Sequence, residues 1–147
     1  MDLTVQASAS PTDPARLAEI LRDPGFCRYP CDLMVVAKYH DGQWHDAGVV
    51  PYGPLTMDPS TNSLHYGQSI FEGLKAYKRD DGGVNLFRPD ANARRFRDSA
   101  DRMAMAQLPE AVFTEAVEQL VRIDRAWIPG GEGSLYLRPF MIASEVF

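Results

Sequence analysis

The chain is 147 residues long, 45% hydrophobic and 24% charged, the makeup of a single globular domain rather than a disordered or fibrous polymer. Its formal net charge is -5, and its basic residues are scattered apart from Arg94, Arg95, Arg97 and Arg102, which argues against nucleic acid as a partner. No apolar run approaches the length of a membrane span, and the first residues lack a signal peptide's charged start and apolar core, so a cytoplasmic protein with no membrane partner is expected.

Residues 1–12 are small and polar and read as a disordered tail. Asp13-Pro14 then offers an N-cap followed by proline at the first helical position. Leu17, Ile20 and Leu21 supply the apolar stripe of a short helix ended by Pro24-Gly25. Residues 1–28 are therefore a tail and short helix ahead of one domain over 29–147. Cys27 and Cys31 are the only cysteines, too few for a disulfide framework or a complete zinc site. None of His40, His45 and His65 stands at a familiar metal-ligand spacing from them, so no metal is expected and both thiols read as structural or incidental.

Residues 33–39 form a strand candidate, and Asp41-Gly42 is a hairpin turn signal before Gln43-Trp44-His45. Residues 51–63 carry three prolines and a glycine and read as a long ordered loop. A second hairpin follows, with 70–78 as one arm, Asp80-Asp81-Gly82-Gly83 as the turn and 84–87 as the other arm. Arg88-Pro89-Asp90 opens a helix to about residue 105, with Ala93, Phe96, Ala100 and Met103 as its inward stripe. Pro109 starts another, burying Val112, Phe113, Ala116, Val117 and Leu120. Pro129-Gly130-Gly131 breaks the chain, and 134–144 reads as one long final strand. Two hairpins and a late strand around two helices predict an α+β two-layer sandwich, with a mostly antiparallel sheet on one side and two packed helices on the other.

The stretch Leu64-His65-Tyr66-Gly67-Gln68-Ser69-Ile70-Phe71-Glu72-Gly73-Leu74-Lys75-Ala76-Tyr77 interrupts a strand-like run with glycines and aromatics that a plain core strand does not need. Strand alternation puts Phe71, Gly73, Lys75 and Tyr77 on one face, where Gly73 lets a ligand or another backbone come close. Arg95, directly before the inward Phe96, packs its stem beside the buried stripe and sends its head toward a cleft. A planar guanidinium there suits a phosphate. The alternative is an ordinary helix arginine paired with Asp98 or Asp101. Tyr136, Arg138 and Phe140 share a face of the final strand. An unpaired buried arginine is expensive, so Arg138 should meet an anion, either a neighbouring carboxylate or that of a substrate.

The string from His65 to Tyr77, Arg95, and Tyr136-Leu137-Arg138-Pro139 together resemble the small domain of branched-chain amino acid aminotransferases, pyridoxal-phosphate enzymes of fold type IV, over about residues 32–145. The resemblance implies transamination of leucine, isoleucine or valine with 2-oxoglutarate, on pyridoxal 5'-phosphate, by a homodimer. It assigns Arg95 to the cofactor phosphate, Tyr66 and Phe71 to the wall of the substrate side-chain pocket, and Arg138, with Tyr136 beside it, to the part of that pocket that meets a substrate carboxylate. The family's catalytic lysine would lie beyond Phe147, in a second domain, so no catalytic residue is expected here and the chain alone should be inactive. A shorter Tyr-Gly…Phe-Glu core is shared with D-amino acid aminotransferases and aminodeoxychorismate lyases of the same fold type, which remain alternatives, as does a non-enzymatic partner-binding module. The entry to the first strand departs from the family's Phe-Thr-Asp-His-Met-like run: here it is Pro30-Cys31-Asp32-Leu33-Met34, preceded by Tyr29.

Overall fold

The computed structural model of the protein describes residues 3–146, so residues 1 and 2 of the predicted tail and Phe147 of the predicted domain lie outside the described residues. Part of the stretch read as a tail is tied down, at residues 4–6 and at Thr12. Thr4–Val5 (β1) pairs in parallel with the later strand Gln43–Pro51 (β3), and Gln6 donates its N–H to Val49 O at 2.9 Å. Backbone pairing of this kind needs no apolar side chain, which is why the composition of the stretch did not announce it. Asp13 caps α1 (Pro14–Ile20), its carboxylate accepting from Ala15 N and Arg16 N, and Ile20 is buried.

Leu33–His40 (β2) runs antiparallel to β3, and together with β1 they form a sheet of order β1-β3-β2. The turn between them holds Asp41 and Gly42 at φ 51° and 77°, as a two-residue hairpin demands. The pair slips register between Val36 and Lys38, opposite Asp46, whose φ is 50°. β3 is longer than the three residues expected of it, because Ala47, Gly48 and Val49 continue the strand into the core. Asp32, just before β2, gathers distant segments. Its Oδ1 accepts from Thr12 N and Oγ1, its Oδ2 from Trp127 Nε1, and its carbonyl from Tyr52 N.

The loop after β3 gives way to a short helix, α2 (Asn62–Tyr66), where an extended run was expected; Gly67 ends it in the left-handed region at φ 64°. The predicted arm at 70–78 is two strands, β4 (Ser69–Phe71) and β5 (Leu74–Lys78). The predicted final strand is likewise two, β7 (Leu135–Leu137) and β8 (Phe140–Ile142). β4 pairs with β8, while β5 lies between β6 (Val84–Leu86) and β7. The registers Phe71↔Phe140 and Leu74↔Leu137 are nonetheless in step, and Glu72 N donates to Pro139 O at 2.8 Å across the gap. The two long strands are one ladder interrupted at Glu72-Gly73 and Arg138-Pro139.

The inner face of that ladder, Ile70, Leu74, Ala76 and Leu137, packs against Ala93, Phe96 and Ala100 of α3 (Pro89–Arg102) and Phe113, Val117 and Val121 of α4 (Glu110–Ile123). The rings of Phe96 and Phe113 meet at 5.4 Å. Strands on one side and two helices on the other make the α+β architecture expected. Val121 takes the buried position in the last turn of α4, and Leu120 is only partly buried. Met103 lies beyond the end of α3 and is exposed. Asp124 follows α4, is buried, and accepts the Leu33 N–H at 3.1 Å.

Candidate functional site

Burial alternates without a break from Ile70 to Tyr77: Ile70, Glu72, Leu74 and Ala76 are buried, while Phe71, Lys75 and Tyr77 are exposed. Glu72 is thus a carboxylate on the core face, with a side chain 3% exposed. Such a group must be met by donors. Helix α3 supplies them from two residues one turn apart. Arg95 closes on it with both Nε (2.6 Å to Oε1) and Nη2 (2.7 Å to Oε2), and Asn92 adds Nδ2 at 2.8 Å to Oε2. Burial alone pushes the Glu72 carboxyl up, but the hydrogen bonds from Arg95 and Asn92 and the charge of Arg95 outweigh it and hold the group below its usual value.

Arg95 therefore pairs with Glu72, not with Asp98 or Asp101. Its side chain is 68% exposed, and Glu72 engages Nε and Nη2 of the guanidinium but not Nη1. A guanidinium has more donors than one carboxylate can take, and the arrangement fits a phosphate on the outer side.

On the other side of Glu72, Gly73 presents bare backbone to Tyr136. A Cβ on Gly73 would lie 2.5 Å from the Tyr136 hydroxyl, so the close neighbour that the glycine admits is a side chain of this chain. That hydroxyl accepts from Arg138 Nε and Nη2 at 3.0 and 2.8 Å. The Arg138 guanidinium also stands over the Phe71 ring, 4.6 Å from its centroid, and over the Tyr136 ring at 5.2 Å. Arg138 is exposed rather than buried, because it follows buried Leu137 and lies on the outward face with Phe71 and Phe140. Among the described residues its partners are these aromatic groups and no carboxylate. The guanidinium thus keeps its charge available to an anion from outside.

Arg138 therefore brings Phe71 and Tyr136 together, and Arg95 is linked to them through Glu72 and Gly73. Tyr66 stands on a different element, as the last residue of α2, and is 75% exposed. Two open clefts, of about 530 and about 490 Å³, are lined by other residues: Tyr39, Trp44, Gln107 and Val112 in one, Val84, Glu118, Val121 and Arg125 in the other. Glu72, Asn92 and Phe26, whose ring lies 5.1 Å from that of Tyr136, were not singled out from sequence. Only Glu72 carried a signal, a carboxylate at the parity of Ile70, Leu74 and Ala76. Cys27 and Cys31 are free thiols, and no cluster of metal-ligating side chains occurs among the described residues.

No family model matches the chain. In sequence it is similar to the branched-chain-amino-acid aminotransferase of Mycobacterium tuberculosis, at 50% identity over 99% of this chain and 40% of that enzyme. In structure it is similar to a branched-chain aminotransferase from Thermoproteus uzoniensis solved with norvaline, with a TM-score of 0.58 at 25% identity over 78% of this chain and 35% of that one. A T.th. branched-chain amino acid aminotransferase complexed with N-(5'-phosphopyridoxyl)-L-glutamate matches at a TM-score of 0.53 and 30% identity, over 64% of this chain and 29% of that one. The α+β domain is the small domain of a fold type IV aminotransferase. Within that class the chain belongs to the branched-chain aminotransferase family. It spans about 40% of the length of the curated relatives it matches.

Proposed function

We propose that this chain is the cofactor- and substrate-facing small domain of a pyridoxal-phosphate enzyme that transaminates leucine, isoleucine or valine with 2-oxoglutarate. The parent protein would be a cytoplasmic homodimer whose second domain carries the catalytic lysine. The observation that carries the reading is the pair of outward-facing guanidiniums, Arg95 anchored on buried Glu72 and Arg138 seated on Phe71 and Tyr136, joined through Gly73. The relatives solved with norvaline and with phosphopyridoxyl-glutamate support both the cofactor and a site that takes an apolar and an acidic amino acid.

When bound, pyridoxal phosphate supplies the electron sink that lets the Cα–H bond of an amino acid ionise. This chain's residues hold and orient. Arg95 binds the phosphate through donors that Glu72 leaves over. Arg138 binds a substrate carboxylate, and Tyr136, accepting two of its N–H groups, fixes the plane of its guanidinium. Phe71 and Tyr66 present apolar ring surface, which selects branched aliphatic side chains by buried area and shape. No group of this chain moves a proton in this reading.

The test is an assay of the full-length protein with added pyridoxal phosphate, using leucine, D-alanine and aminodeoxychorismate as substrates. Formation of glutamate from 2-oxoglutarate with leucine alone supports the reading. Turnover of D-alanine or aminodeoxychorismate in its place would move the protein to a neighbouring activity of the same fold type.

A further inference from the structure

We propose that Glu72 is a positioning residue for phosphate recognition, acting through Arg95; the proposal rests on the reading of Arg95 as the phosphate contact. Glu72 lies on the core face among Ile70, Leu74 and Ala76, where apolar contacts would stabilise the sheet more simply. A buried carboxylate in such a place is costly, so the residue is worth keeping only for what it does to its partners. What it does is geometric. An exposed arginine on a helix ordinarily samples many rotamers, and ordering it on a ligand costs binding energy. Here Nε and Nη2 are both closed on the two carboxylate oxygens, at 2.6 and 2.7 Å, so the plane and direction of the guanidinium are set before any ligand arrives.

The carboxylate is itself held. Asn92 donates to the oxygen that Nη2 shares, and also to Gly73 O at 3.3 Å, which locks the acid to the break in the ladder. Glu72 N is bonded to Pro139 O across that break, so the anchor is tied between two segments that are each flanked by paired strands. The negative charge of Glu72 lowers the raw attraction of Arg95 for an anion. The gain is in orientation, not in charge, and this separates the proposal from a simple ion pair.

The experiment is a titration of the full-length apoprotein with pyridoxal 5'-phosphate and, separately, with pyridoxal, which lacks the phosphate. Glu72→Gln should weaken pyridoxal phosphate by about ten- to a hundredfold, by analogy with the partners that orient metal-ligating side chains. Pyridoxal affinity should change by no more than about twofold. In an Arg95→Ala background Glu72→Gln should add no more than about twofold, because the residue it works through is gone. Glu72→Asp, which keeps the charge and shortens the reach, should give an intermediate loss for the phosphorylated ligand only, and it carries the comparison if Glu72→Gln does not fold. Equal weakening of both ligands, a full additional loss in the Arg95→Ala background, or a Glu72→Asp variant indistinguishable from the parent would overturn the proposal. If Arg95→Ala leaves the preference for pyridoxal phosphate over pyridoxal intact, the phosphate assignment itself is wrong. If Arg95→Ala abolishes that preference while Glu72→Gln is silent, only the role of Glu72 falls.

Discussion

The hydroxyl of Tyr136 rests against Gly73, 2.5 Å from the point a Cβ would occupy, with Tyr136 Cζ and Cε2 at 3.1 and 3.2 Å from the same point. Any side chain at 73 displaces the ring that orients Arg138. Gly73→Ala is therefore expected to destabilise the protein by about 1–3 kcal/mol, the usual cost of overpacking, as read from a denaturant midpoint. In the full-length protein it should also weaken substrate binding. Tyr136→Phe should restore part of the stability of Gly73→Ala, because it removes the atom nearest the new methyl.

The last turn of α3 closes on an alanine in a conformation that glycine prefers. Ala104 has φ 52°, Met105 N bonds to Ala100 O at 2.8 Å and Ala104 N to Asp101 O at 3.0 Å. This is the two-bond helix terminator with its left-handed position filled by a residue that pays for its Cβ. Ala104→Gly should stabilise the protein by about 0.5–1 kcal/mol, the strain relieved less the added freedom of the unfolded chain. A thermal melt checks it, and a lower midpoint would contradict it.

Asp124 makes stability depend on pH in a direction opposite to most carboxylates. Burial, and then the charge of Asp32, raise its carboxyl from 3.8 to about 6 against the opposing hydrogen bond from Leu33 N. A raised acid is neutral in the folded protein and charged in the unfolded chain between those values. Its penalty is absent below about 3.8, grows as pH rises, and is complete above about 6, roughly 3 kcal/mol in all. Glu72 and Asp32, both lowered, work the other way only near and below their ordinary values. Between pH 7 and pH 5 the denaturation midpoint should therefore rise, and Asp124→Asn, which keeps an acceptor for Leu33 N, should flatten that rise.

Which of these features were visible in the bare sequence follows from how local their causes are. The start of α1 was legible because Asp13 and Pro14 act on their own helix. The end of α3 was not, because the residue at 104 is an alanine where the readable signal is glycine. Gly67 gave the opposite error: it caps α2, but lay inside a run whose aromatics looked extended. The outward face of Phe71, Gly73, Lys75 and Tyr77 was legible from period two alone, and it persists although the strand is split and Gly73 is half-covered by Tyr136. The partner of Arg95 was out of reach. Asp98 and Asp101 were the nearby acids, while Glu72 arrives from another strand. The exposure of Arg138 follows from the same period two, opposite buried Leu137, but its seat on the Phe71 ring comes from a strand far away in the chain.

Two thiols of different exposure test the packing just ahead of β2. Cys31 is half-buried, and burial, with the charges of Asp124 and Asp32, pushes its thiol up to about 12. It should stay protonated and unreactive toward a maleimide or disulfide reagent at neutral pH. Cys27 is exposed and should react first. Cys27→Ser is expected to remove the fast phase of labelling, leaving Cys31 to react only as the fold opens.

One carboxylate, that of Asp32, has a consequence for how the molecule comes apart. It holds Thr12 with one oxygen and Trp127 with the other, while its own carbonyl holds Tyr52. Three stretches that never touch in sequence are riveted at a single residue. Under amide-exchange conditions the N–H groups of Thr12 and Tyr52 should become labile at one shared rate, as a single detaching unit, instead of fraying from the N-terminus inward.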